Sequence, residues 1–197
     1  MTKSTFSRLA AMIAAAAVIG FAVPAPAQDD YTAPLTELAN GKLREIAQNP
    51  VLVSAIMAQN EQSGGYDQAK IDELDKQWRA EVDAADKPLI NATLGTDASS
   101  ALAAAQADSA GLFTEIFATD AKGLNVAQST ITSDYWQGDE DKFTKSFGAG
   151  ADAVFLGEIE QDESTQTYQS QVSITVTDPA TGAPIGSITA GVDLSAL

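Results

Sequence analysis

The spacing of apolar residues changes near residue 110, and this change constrains the fold more than any other feature of the chain. Upstream, Leu35, Ala39 and Leu43 recur at intervals of four, which places their side chains on one face of a helix. Downstream, apolar and polar residues alternate in short runs bounded by turn residues, which is typical of strands. Helices followed by strands predict an α+β domain.

The upstream part divides into several helices. Asn49 suits an N-cap and Pro50 suits the first helical position, so a new helix is expected to begin there. Asp67 suits the cap of the next helix, which should run to about Ala85. An alanine-rich segment, residues 100–110, predicts a further short helix. The helix that follows Asp67 carries an apolar stripe made of Ile71, Leu74, Trp78 and Val82.

The downstream part predicts a five-stranded antiparallel sheet, because most of the connections are too short for parallel crossovers. The turns at 120–123 and 178–182 contain the Asp, Pro and Gly residues that turns favour. Residues 133–152 form a longer connection, with a short helix expected over 141–147. The predicted strands are 112–119, 125–132, 154–159, 168–177 and 184–193.

The N-terminus has the pattern of a cleavable secretory signal peptide. Two basic residues, Lys3 and Arg8, precede an apolar run over 9–23. The small residues Ala25 and Ala27 predict cleavage after Ala27. An uncleaved membrane anchor is the competing interpretation, but a spanning helix needs about 20 apolar residues. We therefore expect a periplasmic or secreted domain made of a helical part, 28–110, and a sheet part, 111–197, without membrane insertion after cleavage.

Composition argues against most catalytic and nucleic-acid functions. The chain has no histidine and no cysteine, which excludes Ser-His-Asp and Cys-His catalysis and most transition-metal sites. It carries 27 acidic and 11 basic residues, so it should repel phosphate backbones. No pair of acids is singled out by its surroundings, although a carboxylate-dependent hydrolase survives as an alternative. We expect no enzymatic activity, no cofactor and no nucleic-acid partner.

Several segments resemble the extracytoplasmic Cache (PDC) sensor domains, which are PAS-like. The most specific is TSDYWQGDE at 132–140, supported by TDAKG at 119–123, DES at 162–164 and IGSITAGVDL at 185–194. Two helical segments, NPVL at 49–52 and IDELDKQW at 71–78, resemble a subset that is secreted without a signalling domain.

The resemblance implies long N-terminal helices packed on the sheet as one Cache domain. It also implies a pocket between the sheet and the loops after the second strand, for a small organic ligand such as an amino acid, amine or carboxylate. Because the sequence shows no spanning helix after residue 194, the ligand state would have to be presented to a membrane-bound receptor or kinase partner. Helical hairpins of the family often pair across a dimer axis, so a homodimer is one implied assembly. The alternative function is an exported structural or protein-interaction domain with a filled core.

The candidate ligand-binding residues lie in the connection after the second strand. Asp134, Tyr135 and Trp136 offer an aromatic wall with one carboxylate, which suits an amine-bearing ligand. Gln137 and Asp139 follow in the same segment. Equally, the aromatic residues could close the edge of the sheet while Asp134 caps the next helix. Trp78 completes the candidate set, although its place in the apolar stripe also predicts a core role.

An acidic run, Asp139-Glu140-Asp141, has two interpretations. Closely spaced carboxylates can bind calcium, but the run lacks the ligand spacing of an EF-hand loop. One of these acids is more simply the cap of the short helix that follows. We therefore predict no metal site.

Overall fold

The computed structural model describes residues 27–161 and 167–197. The predicted leader, apart from Ala27, and the DES motif at 162–164 lie outside the described residues. No helix within the described ranges has both the length and the apolar character needed to cross a membrane.

Within the described residues, seven α-helices precede or interrupt the sheet. A π-helical turn, Ala39–Leu43, joins the first two helices into one continuous element. Short 3-10 turns at Phe147–Ala149 and Leu194–Ala196 follow the last helix and the last strand. The helices are α1 (Gln28–Leu38), α2 (Arg44–Ala47), α3 (Pro50–Ser63), α4 (Gln68–Val82), α5 (Pro88–Leu94), α6 (Asp97–Ala107) and α7 (Asp141–Thr144).

Capping side chains fix where the helices begin. The Asn49 side chain accepts a hydrogen bond from the Val51 N–H at 2.9 Å, and Asp67 accepts one from the Lys70 N–H at 2.9 Å. Both predicted starts are confirmed. Helix α5 was not predicted, because it begins at Pro88 and is too short to show a helical period.

The strands form one antiparallel sheet with the order β2-β1-β6-β5-β3, and a short β4 also pairs with β5. This confirms the α+β class and the five-stranded path, to which β4 adds a sixth short strand. The strands are β1 (Phe113–Asp120), β2 (Asn125–Gln128), β3 (Val154–Leu156), β4 (Glu160–Gln161), β5 (Tyr168–Thr177) and β6 (Pro184–Asp193).

Two predicted strands were too long. The second ends at Gln128 because the Ser129 hydroxyl, rather than a backbone carbonyl, accepts the Ile116 N–H at 2.8 Å. The third, predicted over 154–159, ends as β3 at Leu156, and a separate short strand, β4, begins after its predicted end, at Glu160. Between them the Gly157 carbonyl turns towards side chains and accepts hydrogen bonds from the Ser170 hydroxyl at 2.9 Å and the Gln28 amide at 3.1 Å.

The main core lies between the N-terminal helices and one face of the sheet. Its members are apolar and almost fully buried, and they come from α1, α3, α6 and the central strands. The largest of them include Leu35, Leu43, Leu52, Ile56, Leu102, Ile116, Ile174 and Ile188.

The opposite face of the sheet is polar. The covering segment, residues 129–153, first runs along the edge of the sheet beside β2, where Trp136 pairs with Leu124, and then covers the polar face with α7 and the turn that follows it. Two hydroxyl pairs cross the central strands of this face: Thr119 with Ser187 at 2.8 Å, and Ser173 with Thr189 at 2.8 Å. These groups are buried, so each satisfies the other. The polar face and its covering segment therefore form the part of the fold that can offer polar groups to a ligand.

Candidate functional site

The aromatic residues predicted as ligand contacts form a small second core. Trp78 on α4 is fully buried and stacks on Tyr135, with ring centroids 5.3 Å apart. The Trp78 indole N–H donates to the Thr132 carbonyl at 2.9 Å. Tyr135 is only 7% exposed, and this burial raises the pKa of its phenol. The pair is supported by Ile71, Ile90 and Leu124.

Asp75 anchors the covering segment to α4. One of its carboxylate oxygens accepts the backbone N–H groups of Tyr135 and Trp136, at 2.9 Å and 3.1 Å. The other accepts from Arg79 at 2.7 Å, and this bond raises the pKa of the Arg79 guanidinium. Arg79 also reaches Asp134 at 3.2 Å. The Asp134 carboxylate, which was predicted to contact a ligand, is thus paired with the Arg79 guanidinium.

Trp136 and Gln137 bind the covering segment to the β1–β2 turn. The Trp136 indole N–H donates to the Lys122 carbonyl at 2.8 Å, and the Gln137 N–H donates to the Gly123 carbonyl at 2.8 Å. Gly123 has φ +81, and a Cβ there would lie 2.6 Å from the Gly138 Cα. Only glycine therefore allows this close crossing, which confirms the predicted turn.

Buried polar atoms beneath this segment lack partners. Asn125 Oδ1, Gln128 Nε2 and Gln137 Oε1 are buried without a hydrogen-bond partner within the described residues. Their neighbouring atoms are satisfied: Asn125 Nδ2 donates to the Asp134 carbonyl at 3.0 Å, and Gln137 Nε2 donates to the Asp134 carboxylate at 2.6 Å. Such atoms are typical places for buried water.

The acidic run does not behave as predicted at the start of α7. Glu140 occupies the N-cap position but makes no side-chain cap hydrogen bond, because its carboxylate pairs with Lys142 at 3.0 Å. Asp141 pairs with Lys145 at 2.7 Å, and Asp139 is exposed. Across the part of the chain that the structure describes, no group of three or more acidic side chains is arranged to hold a metal ion.

A cavity of about 670 Å³ opens between the polar face of the sheet and α7. Glu115 of β1, Gly191 of β6 and Gln171 of β5 form its floor, with Gln171 donating to Glu115 at 3.3 Å. Glu115 and Gln171 are only half-buried, so they can be reached from the cavity. The rest of the lining is Glu140, Asp141, Lys142, Lys145, Phe155, Leu156, Gly157, Glu158, Glu160, Gln169 and Ser170.

Lys142 of α7 and Lys145, the residue that follows α7, form the roof of this cavity. The Lys142 ammonium lies 5.4 Å from the centre of the Phe117 ring, and that of Lys145 lies 5.5 Å from the centre of Phe155. Lys142 is well covered, with 14% of its side chain exposed, whereas 58% of Lys145 is exposed. The roof is therefore fixed at Lys142 and open to solvent at Lys145.

A second cavity of about 450 Å³ lies on the other side of the same wall. It is lined by Gln28 and Ile159 together with Leu156, Gly157 and Glu158, which also line the first cavity. The Gln28 amide donates to the Gly157 carbonyl, so the first residue of α1 touches the wall between the two cavities.

The predicted site residues and the cavity lining are different sets. Neither of the two cavities is lined by Trp78, Asp134, Tyr135, Trp136, Gln137 or Asp139. Their contact with a ligand stays a prediction. The sequence did contain a signal for the cavity floor, because Gln169, Gln171, Ser173 and Thr175 alternate with Val172, Ile174 and Val176 along β5.

Comparison of the fold with solved structures finds sensor domains of histidine kinases and chemoreceptors, the class that the sequence resembles. The sensor domain of the V. cholerae histidine kinase DctB is 16% identical, with a TM-score of 0.39, over 85% of this chain and 58% of that chain. The ligand-binding domain of the Pseudomonas aeruginosa PAO1 amino acid chemoreceptor PctC, in complex with GABA, is 16% identical, with a TM-score of 0.35, over 81% and 62%.

The sensory domain of the Campylobacter jejuni chemoreceptor Tlp3, with isoleucine bound, is 14% identical, with a TM-score of 0.36, over 81% of this chain and 62% of that chain. The chain thus spans about three fifths of the length of these solved domains. At such identities and TM-scores the similarities supply no ligand and no site residue for this chain. The sequence matches no family model and no curated protein.

Proposed function

We propose that this protein is an extracytoplasmic sensor module that binds a small organic molecule between the polar face of its sheet and α7. The observation that carries the proposal is the cavity of about 670 Å³ above Glu115 and Gln171. Small-molecule sites are commonly concave and about 300–1,000 Å³ in volume, with a few polar groups that orient the ligand. A floor made by three neighbouring strands holds those polar groups rigidly.

The covering segment supplies the moving part. Residues 133–150 are attached to α4 through Asp75. The α7 end is held over the cavity by the buried Phe143 and by the contacts of Lys142 with the Phe117 ring and of Lys145 with the Phe155 ring. A ligand under α7 would favour the closed position of this segment. Because Gln28 bonds to Gly157 in the cavity wall, the same closure would reach the N-terminal helices, which would carry it to a membrane-bound receptor or kinase partner.

The aromatic cluster has a supporting role in this proposal. Trp78 and Tyr135 hold one end of the covering segment in place, together with Trp136, Asp134 and Gln137. Ligand contact by Tyr135 is tested separately from this role by Tyr135→Phe, which keeps the ring and removes the hydroxyl. An unchanged ligand affinity would leave Tyr135 with the supporting role alone.

The test is thermal denaturation of the mature domain with amino acids, amines, short carboxylates and calcium. A ligand that binds only the folded form raises the melting temperature as its concentration rises. Gln171→Leu, which removes an amide from the cavity floor, should reduce that rise by at least several-fold. Gln62→Leu is the matched control, because Gln62 is exposed on α3, away from the cavity. Equal effects of the two substitutions would contradict the proposed site.

The second candidate is an exported structural or protein-interaction domain without a ligand. The filled Trp78–Tyr135 cluster favours it, because the place where the sequence predicted a hollow is packed. Flat melting curves across the whole panel would support this candidate. N-terminal sequencing of the exported protein tests the compartment, and a first residue of Gln28 is expected.

A further inference from the structure

The lining of the cavity under α7 is unbalanced in charge. Five of its side chains are carboxylates and two are ammonium groups, so it carries an acidic surplus of three. The carboxylates are Glu115, Glu140, Asp141, Glu158 and Glu160, and the ammonium groups are Lys142 and Lys145.

Both cations of the cavity already have carboxylate partners. Lys142 pairs with Glu140 at 3.0 Å and faces the Phe117 ring. Lys145 pairs with Asp141 at 2.7 Å in an exposed ion pair. Exposed pairs are weak, so Lys145 can be drawn away. If Lys145 turned from Asp141 to a ligand carboxylate, however, it would leave Asp141 unpaired. The acidic surplus of the lining would then stay at three.

Three carboxylates of the lining have no cation of their own. Among the ion pairs of the described residues, none involves Glu115, Glu158 or Glu160. The half-buried Glu115 accepts one long hydrogen bond, from Gln171 at 3.3 Å. Gly191 lies between these two residues in the sheet, and a Cβ there would lie 3.0 Å from the Glu115 Cγ, so the glycine allows the Glu115 side chain to lie across the floor of the cavity.

From this arrangement we infer that the ligand of the proposed site is an organic amine without a carboxylate group, with its ammonium group on Glu115. This inference rests on the proposed function and names the ligand class of the same site. An ammonium group would complete the hydrogen bonds of Glu115 and reduce the acidic surplus. A carboxylate in the same space would face three unpaired acids, and like charges brought together oppose binding.

The remaining features fit an aliphatic amine. Phe155 and Leu156 provide an apolar wall for a short methylene chain. Glu158 and Glu160, on the far side of the floor from Glu115, can take a second ammonium group. The chain as a whole has a net charge of −16, which raises the local concentration of cations and speeds their association.

The test uses three probes of equal chain length. Butane-1,4-diamine, 4-aminobutanoate and butanedioate differ only in whether each end is an ammonium or a carboxylate group. Their dissociation constants are measured by calorimetry at about 0.15 M salt, where the screening length is about 8 Å. The diamine is expected to bind at least 10-fold more tightly than 4-aminobutanoate, and butanedioate is expected not to bind.

Glu115→Gln locates the amine within the molecule. The substitution keeps the side-chain shape and removes the charge, so it should weaken diamine binding at least 10-fold. Glu61→Gln removes one charge from the exposed face of α3 and is the matched control for a general loss of acidity. Circular dichroism and the melting temperature without ligand show that both variants fold.

The outcomes separate this inference from the proposed function. Tighter binding of 4-aminobutanoate or butanedioate than of the diamine, weakened by Gln171→Leu, would keep the sensor site and overturn the amine assignment. Equal weakening by Glu115→Gln and Glu61→Gln would show that the diamine binds elsewhere, which also overturns it. Absence of binding by these probes and by the wider panel would overturn both.

Discussion

Alternate residues of the same strands make the two faces of the sheet, yet the faces are packed in opposite ways. On β5, Val172 and Ile174 point to the helices and are fully buried in the apolar core. Their neighbours Gln171 and Ser173 point to the covering segment, where Ser173 is paired with a threonine and Gln171 borders a cavity. The helix-covered face is therefore packed with apolar side chains. The polar face is stabilised by hydrogen-bonded side-chain pairs and borders a cavity.

The difference follows from what covers each face. The helix-covered face receives long amphipathic elements, whose side chains fill the interval between helix and sheet. The polar face receives a mostly irregular segment that is attached firmly at Asp75 and ends in the short α7. Stability should therefore come mainly from the helix face and ligand binding from the polar face.

The largest expected effect compares one position on each face of the same strand, β5. Ile174→Ala should destabilise the fold by about 2–5 kcal/mol, since it leaves a cavity in the core. Gln171→Ala should change the free energy of unfolding by less than about 1 kcal/mol, because its side chain is half-buried at the border of an existing cavity. Urea denaturation measures both. Comparable losses would contradict the division of roles between the faces.

Asp75→Asn tests whether the covering segment depends on its anchor. The asparagine keeps one oxygen for the Tyr135 and Trp136 N–H groups but loses the charge that faces Arg79. A loss of about 2 kcal/mol is expected, because hydrogen bonds to charged groups contribute about 1.5–3 kcal/mol. Hydrogen exchange should rise in residues 133–137 and stay unchanged in β5.

Asp72→Asn is the control for this substitution. Asp72 is exposed on the same helix and accepts a hydrogen bond only from Gln68 of that helix. A change below about 0.5 kcal/mol is expected. Faster exchange throughout the sheet in Asp75→Asn would mean that the anchor holds the whole fold, and that the polar face has no separate stability.

Removing the hydrogen bond between the Ser173 and Thr189 hydroxyls on the polar face should destabilise the fold less than Asp75→Asn does. Ser173→Ala should cost about 1 kcal/mol, because the buried Thr189 hydroxyl loses its partner. Adding Thr189→Val removes the orphaned hydroxyl, so the double variant should lose less than the sum of the two single variants. Strict additivity in a double-mutant cycle would show that the pair does not hold this face.

The sequence was sufficient for β5 and β6, whose bounds agree with the predictions at every end. Polar and apolar residues alternate over 171–177 and 187–193, and the turn between the strands contains Pro179 and Gly182. The end of β2 could not be read in the same way, because it depends on the Ser129 hydroxyl taking the place of a backbone acceptor. Alternation and turn residues can be recognised in the sequence. A side-chain hydroxyl that replaces a backbone carbonyl as hydrogen-bond acceptor cannot.

The site was harder to predict because its residues are distant in the chain. Glu115 and Gln171 meet through strand register, and a shift of one residue would have sent either to the other face. Lys142 and Lys145 lay in a predicted helix, but nothing local indicated that this helix covers a cavity. The aromatic residues at 135 and 136 were conspicuous for their composition, and they mark the anchored end of the covering segment.

The smallest expected effect is a change of stability with pH, which is absent near neutrality and develops at alkaline pH. It tests whether water is excluded from Tyr135, at the anchored end of the covering segment. Burial raises the pKa of the Tyr135 phenol above its ordinary value of 10.0. The unfolded chain therefore releases this proton at lower pH than the folded protein does. The resulting stabilisation is complete below pH 10 and is lost as the pH rises towards the folded-state pKa.

Absorbance at the tyrosinate band should show Tyr135 ionising above its ordinary pKa while the protein is folded, and urea denaturation should show stability falling above about pH 10. Tyr135→Phe should change stability by less than about 1 kcal/mol at pH 7 and should reduce the alkaline loss. If Tyr135 ionises at its ordinary pKa of 10.0 while the protein is folded, water reaches the aromatic cluster. In that case the covering segment would be open at both ends, and the contrast between its packed end and its cavity end would disappear.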